Sequence, residues 1–126
     1  MMNRIFKNVC VTGAGSGIGR AVAIAMSNEG YNVTCADINL KQANETLEII
    51  LNCNGSGIPI ETDVTKINDI ENMTLQTVKQ FGTIDILVNN AGVTRTSNIM
   101  DLTEKDWDWI HTVSYTHLTL PTIYSV

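Results

Sequence analysis

The sequence has few charged residues, few aromatic residues and no long apolar run. Of its 126 residues, 17% are charged and 6% are aromatic, and the net charge is -5. A nucleic acid or an anionic membrane would need a basic face, so neither is an expected partner. No apolar run approaches the roughly 20 residues that span a bilayer, and the segment before the first predicted strand is too short for a signal peptide. The composition is typical of one globular domain.

Cysteine is also scarce, and its spacing is not that of a metal site. The chain has Cys10, Cys35 and Cys53, an odd number without the paired spacing of metal ligands. Cys10 and Cys35 fall in strand-like runs, where we expect them to be small buried hydrophobic residues. Unpaired thiols fit a reducing, cytoplasmic compartment.

Short apolar runs alternate with helical segments along the chain. The predicted strands cover residues 6–11, 31–36, 58–64 and 84–88, and the predicted helices cover 20–28, 39–52, 68–81 and a segment around Trp107. This alternation predicts an α/β fold, a Rossmann-like, doubly wound parallel sheet of about four strands. Pro59 favours an edge position for the third strand, and a sheet of four strands would leave the fourth as an open edge.

Apolar residues at helical spacing predict the faces that pack on the sheet. They are Ile18, Ala21, Val22, Ala25 and Met26 in the first helix, Ala43, Leu47, Ile50 and Leu51 in the second, and Ile70, Met73, Val78 and Phe81 in the third.

A glycine-rich turn joins the first strand to the first helix. Its glycines fit the spacing G-x-x-x-G-x-G as Gly13, Gly17 and Gly19. Gly13 permits a sharp exit from the strand, Gly17 lets a pyrophosphate approach the backbone, and Gly19 lets the helix pack closely. Ser16 adds a hydroxyl donor near the phosphate. The alternative is a βα turn without a ligand.

Asp37 ends the second predicted strand, about 20 residues beyond the turn, where a carboxylate can accept from the hydroxyls of an adenosine ribose. The same charge would repel a 2′-phosphate, and Ile38 and Asn39, not a cation, follow it. We therefore expect NAD rather than NADP. Arg20, which begins the next helix near the site, is the cation that would oppose this preference.

Two further segments follow strands on the side of the sheet where ligands bind. Asp63 and Val64 follow the third strand, and the carboxylate there could accept from an adenine amino group; an N-cap or a loop acid is the equal alternative. Asn89, Asn90, Ala91 and Gly92 follow the fourth strand. Their small size would keep the floor of the crevice open, and the alternative is an ordinary turn.

Together these motifs resemble those of the short-chain dehydrogenase/reductase family. Residues 12–19 match T-G-x-x-x-G-I-G, which includes Ile18, residues 89–92 match N-N-A-G, and Asp63 with Val64 matches the adenine-side D-V. The resemblance covers residues 7 to about 113. It implies a nicotinamide cofactor, hydride transfer between an alcohol and a carbonyl carbon, and a homodimer or homotetramer. The stretch 90–95, with 102–107 after it, is similar to that of the family's alcohol and 3-oxoacyl reductases. Sugar alcohols, diols, steroids and acyl-carrier thioesters stay open as substrates, with 3-oxoacyl reduction as the default.

The family also uses a serine, a Tyr-x-x-x-Lys pair and an asparagine, which this chain does not match. No lysine follows Lys105, the fourth position after Tyr31 is Cys35, and Ser114 stands where the family has its asparagine. No catalytic residue is therefore assigned, and we expect the chain as written to bind a cofactor without turnover. A non-catalytic dinucleotide-sensing module is the alternative function.

The last residues break the α/β pattern. Residues 113–122 read V-S-Y-T-H-L-T-L-P-T, which is similar to the translation of a transposon-end sequencing adapter. We therefore expect a partial dinucleotide-binding domain over residues 1–112 and a non-native tail over residues 113–126.

Overall fold

The computed structural model describes residues 7–90 and the backbone of residues 122–125. Strands and helices alternate in the order β1 (Asn8–Thr12), α1 (Gly17–Asn28), β2 (Asn32–Asp37), α2 (Leu40–Asn52), β3 (Ser56–Glu61), α3 (Ile67–Phe81), β4 (Ile86–Asn89) and β5 (Thr122–Ser125). The predicted α/β fold class is confirmed. The predicted helix around Trp107 lies outside the described residues.

The strands form one parallel sheet in the spatial order β3-β2-β1-β4-β5. The chain builds outward from β1 to β3 and then returns to place β4 on the other side of β1. This reversal opens a crevice at the carboxyl ends of β1 and β4, the position where open α/β sheets bind ligands. As Pro59 predicts, β3 is an edge strand. None of α1, α2 and α3 combines the length and apolar character that a membrane crossing requires.

Helices cover both faces of the sheet, so the doubly wound arrangement is confirmed. On one face, Ala23 of α1 and Ala43 and Ile50 of α2 pack against inward residues of β1, β2 and β4. On the other face, Ile70 and Met73 of α3 pack against the opposite sides of the same strands. Each face is thus an apolar core of its own, and burial of both cores holds the sheet in place.

The buried face of α1 agrees only in part with the predicted apolar face, of which Val22 and Met26 pack partly buried against the core. Its buried residues are Gly19, Ala23 and Ser27, whereas Ile18 is 64% exposed and Ala21 is exposed. The smallest side chains face the sheet because α1 approaches the strands closely at its start, which leaves no room there for a side chain as large as that of Ile18.

The other two helices bury predicted residues, Ala43 and Ile50 in α2 and Ile70 and Met73 in α3, and they also bury threonines that the spacing does not predict. Thr46 is buried in α2 while Leu51 is 50% exposed, and Thr74 and Thr77 are buried in α3. Their hydroxyls are hydrogen-bonded: Thr46 Oγ1 donates to Ala14 O at 2.7 Å and Thr77 Oγ1 to Met73 O at 2.8 Å. A satisfied hydroxyl removes most of the cost of burying a polar group, so apolarity alone does not identify these faces.

The fifth strand corrects the prediction that β4 is an open edge. β5 pairs in parallel with β4, with Ile86 beside Thr122 and Asn89 beside Ser125. This strand lies in the segment predicted to be a non-native tail, where no strand is predicted. An uncovered β4 offers a row of unpaired amides and carbonyls, and a run of β-branched and aromatic residues such as Thr-Ile-Tyr has the propensity to pair with it. The predicted domain boundary near residue 113 lies outside the described residues.

A buried carboxylate ties the amino ends of the strands together. Asp85, 3% exposed, precedes β4, and its Oδ2 accepts from the amides of Lys7 and Asn8 at 2.9 Å and from Thr83 Oγ1 at 3.1 Å. The Asp85 amide in turn donates to the Asn8 carbonyl at 3.0 Å. This end of the sheet is therefore closed by the protein's own hydrogen bonds.

Candidate functional site

Among the described residues 7–90, the glycine turn leaves a set of backbone amides open at the start of α1. Ser16 is the N-cap and makes no side-chain capping hydrogen bond. The first helical hydrogen bond runs from the Arg20 amide to the Ser16 carbonyl at 3.2 Å, so the amides of Gly17, Ile18 and Gly19 precede it. These orphan donors and the positive end of the helix dipole suit an anion such as a pyrophosphate.

Glycine is required in this turn for two physical reasons. Gly13 and Gly17 adopt positive φ values of 67° and 55°, a region that other residues rarely enter. At Gly19 a Cβ would fall on the Gly13 carbonyl oxygen and lie 2.6 Å from Asn90 Nδ2. The close approach of α1 to the strand ends thus depends on a missing side chain.

Asp37 ends β2 directly beside the turn. It is 8% exposed, its Oδ2 accepts from the Gly15 amide at 2.8 Å and its Oδ1 accepts from the Asn39 amide at 2.9 Å. Each carboxylate oxygen has two lone-pair sites, so each retains one acceptor position after these bonds. The carboxylate is therefore held rigidly against the turn with acceptor capacity for ribose hydroxyls.

Thr12 and Asn90 join the carboxyl ends of β1 and β4. The Asn90 amide donates to Thr12 Oγ1 at 3.0 Å, and Asn90 Nδ2 donates to the Gly13 carbonyl at 3.4 Å. The predicted site residue Asn90 is thereby brought to the glycine turn. The predicted site residues Ala91 and Gly92 lie outside the described residues.

Asp63 is engaged in its own loop. Its Oδ1 accepts from the Thr65 amide at 2.9 Å and from Thr65 Oγ1 at 2.6 Å, the hydrogen bonds of a turn-forming acid. The structure thus assigns Asp63 a loop role, and a contact with adenine stays a prediction. The next residue, Val64, is 8% exposed.

Two residues of this site have contacts that the sequence does not predict: Gly15, which was not assigned to the site, and Arg20, which was considered only as a cation near it. A Cβ at Gly15 would lie 2.7 Å from Gln42 Cβ and 2.8 Å from Asp37 Oδ2, so α2 and Asp37 both press against this residue. Arg20 donates to the Gly15 carbonyl and pairs with Glu45 at 3.2 Å. Both residues lie in or next to the glycine motif, but most of their partners belong to α2, which the spacing within the motif does not reveal.

The ion pair changes the electrostatic interpretation of Arg20. As a free cation, Arg20 would favour a 2′-phosphate. Its guanidinium is instead compensated by Glu45 and directed at three oxygens of the turn and α2. The carboxylate of Asp37 is therefore the charge that lies directly against the glycine turn without an ionic partner among the described residues.

Comparison with known proteins agrees with this geometry. A protein-family model described as short chain dehydrogenase matches residues 7–122. An uncharacterized oxidoreductase of Thermotoga maritima is 42% identical over 107 residues, which are 85% of this chain and 42% of the relative. The 3-oxoacyl-acyl-carrier-protein reductase FabG of Staphylococcus epidermidis is 37% identical over 103 residues, which are 81% of this chain and 42% of that protein. The chain thus spans less than half the length of these curated relatives.

Solved structures share the fold. A hydroxysteroid dehydrogenase from Escherichia coli superposes with a TM-score of 0.72 and 27% identity, covering 88% of this chain and 48% of that chain. A 7α-hydroxysteroid dehydrogenase complexed with NADH and 7-oxo glycochenodeoxycholic acid gives a TM-score of 0.70 and 30% identity, covering 94% of this chain and 49% of that chain. Because the family model matches far more than half of the sequence and solved dehydrogenases share its fold, this chain belongs to the short-chain dehydrogenase family.

Proposed function

We propose that this chain is the NAD(H)-binding half of an oxidoreductase that transfers a hydride between a nicotinamide and an alcohol or carbonyl carbon. The observation that carries the proposal is the Asp37 carboxylate, held 2.8 Å from the Gly15 amide and beside three open amides. When bound, the nicotinamide supplies the hydride chemistry itself.

The residues present fit a dinucleotide. The amides of Gly17, Ile18 and Gly19 and the exposed Ser16 hydroxyl would hold the pyrophosphate, and Asp37 would accept from the ribose hydroxyls. Val64, Asp63 and Asn90, with Ala91 and Gly92, would line the adenine side and the crevice floor. The open space at Gly17, where a Cβ would meet no atom within 4 Å, supports this fit.

We further propose NAD over NADP, because a 2′-phosphate would meet the Asp37 carboxylate while the nearby guanidinium is paired with Glu45. The neighbour complexed with NADH supports a nicotinamide cofactor. The FabG relative supports a 3-oxoacyl thioester as the substrate class of the whole protein. A cytoplasmic setting and a homodimer or homotetramer belong to the same proposal; buried unpaired Cys10 and Cys35 support the reducing compartment.

Calorimetric titration of the chain with NADH and NADPH tests the cofactor. We expect NADH to bind more tightly, and Asp37→Asn to lower the NADH-to-NADPH affinity ratio by about ten-fold, since a charged acceptor is removed. Tighter binding of NADPH to the unmutated chain would overturn the choice of NAD. If neither NADH nor NADPH bound to the chain, the proposed function would be overturned.

Asp85→Asn is the matched control. Asp85 is likewise a buried carboxylate that accepts from two backbone amides, but it lies at the amino ends of the strands. We expect this variant to lower the free energy of unfolding and leave the affinity ratio unchanged. The pair of variants therefore separates a ligand contact at Asp37 from the loss of a structural carboxylate.

A further inference from the structure

Arg20 lies in the first turn of α1, but its guanidinium binds oxygen atoms of the glycine turn and of α2. Its Nη2 donates to the Gly15 carbonyl at 2.5 Å, to the Gln42 carbonyl at 3.4 Å and to Glu45 Oε1 at 3.2 Å, and its Nε donates to Thr46 Oγ1 at 2.9 Å. The side chain of Arg20 is 30% exposed. A planar fork of donors is what allows one side chain to bind the glycine turn and α2 at the same time.

Gly15 is consequently fixed from both sides. Its amide donates to Asp37 at 2.8 Å, and its carbonyl accepts from Arg20. A Cβ in this position would strike both Gln42 and Asp37, so α2 and the end of β2 both lie against this residue. The Gly15 peptide leads directly into Ser16 and Gly17, where the open amides begin.

Thr46 completes the clamp from α2. Its buried hydroxyl accepts from Arg20 Nε and donates to the Ala14 carbonyl at 2.7 Å. The two successive carbonyls of Ala14 and Gly15 are therefore both held by α2 or through a side chain bound to α2. The turn is positioned by the second helix of the fold as well as by its own glycines.

We propose that Arg20 is a positioning residue that holds the glycine turn in the conformation that receives the pyrophosphate. This inference rests on the proposed dinucleotide binding and adds to it a residue outside the glycine motif. Arg20 acts through the Gly15 carbonyl and not as a phosphate ligand, because its donors are directed at oxygens of Gly15, Gln42, Glu45 and Thr46. Lysine cannot replace it, since one ammonium lacks the fork that binds Thr46 and Gly15 together.

Arg20→Lys and Arg20→Met test the clamp, with Lys41→Met as the matched control. Lys41 is an exposed cation on α2, so its removal changes the local charge as much as Arg20→Met does. We expect both Arg20 variants to weaken NADH binding by about ten-fold, the size of one charge-assisted hydrogen bond. Lys41→Met should bind NADH as the unmutated chain does.

Amide hydrogen exchange supplies a readout that a merely structural role would not move. In the Arg20 variants, protection of the Gly15 amide should fall by about ten-fold more than protection of the Val11 amide in β1, since local opening adds to any global loss. Equal losses at Gly15 and Val11, or unchanged NADH affinity in Arg20→Lys, would overturn the positioning role. If the unmutated chain bound no NADH, the dinucleotide proposal itself would fail, an outcome distinct from a failure of the variants alone.

Discussion

Gly19 and Gly82 both exclude a side chain, but for different physical reasons. At Gly19 a Cβ would collide with the Gly13 carbonyl, whereas Gly82 has open space around it and a φ of 99°. We expect Gly19→Ala to displace the turn, weaken NADH binding by more than about ten-fold and lower the unfolding free energy by about 1–3 kcal/mol.

Gly82→Ala is the control for this prediction. It should lower the unfolding free energy by about 1–2 kcal/mol through backbone strain and leave NADH affinity unchanged, because Gly82 caps α3 away from the turn. Urea unfolding and NADH titration of both variants provide the measurements. A Gly19→Ala chain that binds NADH normally would contradict the steric argument.

The residues of the site that sequence could identify are those whose roles are local. A positive φ at Gly13 and Gly17 follows from the strand-turn-helix pattern, and Asp37 follows from its place at the end of the next strand. The clamp of Arg20 on Gly15 depends on how α2 lies against α1, which no spacing within the motif records. For Asp63 the sequence left a ligand contact and a loop role as equal alternatives. The structure shows hydrogen bonds to Thr65 within the loop itself.

The two helices that flank Asp37 begin in different ways. Asn39 caps α2, its side chain accepting from the Gln42 amide at 3.1 Å, whereas Ser16 leaves the start of α1 without a side-chain cap. We expect Asn39→Ala to lower the unfolding free energy by about 1 kcal/mol and keep NADH affinity. Ser16→Ala should leave the free energy of unfolding unchanged, because the Ser16 hydroxyl does not cap the helix. It should weaken NADH binding by about ten-fold, since that hydroxyl would donate to a phosphate.

Thermal melts and NADH titrations of the two alanine variants distinguish a structural cap from a ligand-binding one. The interpretation would be wrong if Ser16→Ala destabilised the chain as much as Asn39→Ala does. It would also be wrong if Asn39→Ala weakened NADH binding to the same extent as Ser16→Ala.

The sequence predicts the existence and order of the strands and helices up to residue 90 better than their orientation. Apolar runs and glycines mark each strand and turn, so the βαβ order follows directly. The buried face of each helix does not follow from the sequence in the same way, because α1 packs through Gly19 and Ala23 and α2 buries Thr46. Periodicity measures the apolar character of a face, while close approach and satisfied hydroxyls select small or polar residues. The pairing of β5 with β4 likewise depends on an open edge that exists only in the assembled sheet.

The two ends of the sheet have opposite designs. The amino ends are closed by Asp85, whose Oδ2 accepts from three donors of the protein. The carboxyl ends combine Asp37, which keeps acceptor positions, with the amides of residues 17–19, which have no acceptor in the part of the chain that the structure describes. Stability and binding are thus separated along the strand direction, which is why a buried carboxylate at each end gives a matched pair of variants.

The molecule as a whole should lose stability in alkali, because each core contains one buried thiol. Burial raises the pKa of Cys10 from 9.0 to about 11 and that of Cys35 from 9.0 to about 12. Cys10 lies in the core under α3 and Cys35 in the core under α1 and α2. Their contribution is fully present below about pH 9, and it falls as the unfolded chain releases protons that the folded chain retains.

Between about pH 9 and about pH 11 the free energy of unfolding should fall by up to about 1.4 kcal/mol per pH unit for each thiol. Urea unfolding across this range measures the fall, and a Cys10→Ala, Cys35→Ala double variant should reduce its slope even though both cavities lower stability at neutral pH. Cys53→Ala, which removes an exposed thiol, should keep the slope of the unmutated chain. If the free energy of unfolding of the double variant fell as steeply with pH as that of the unmutated chain, other groups would govern alkaline unfolding. The two buried thiols would then not be the cause of the pH dependence.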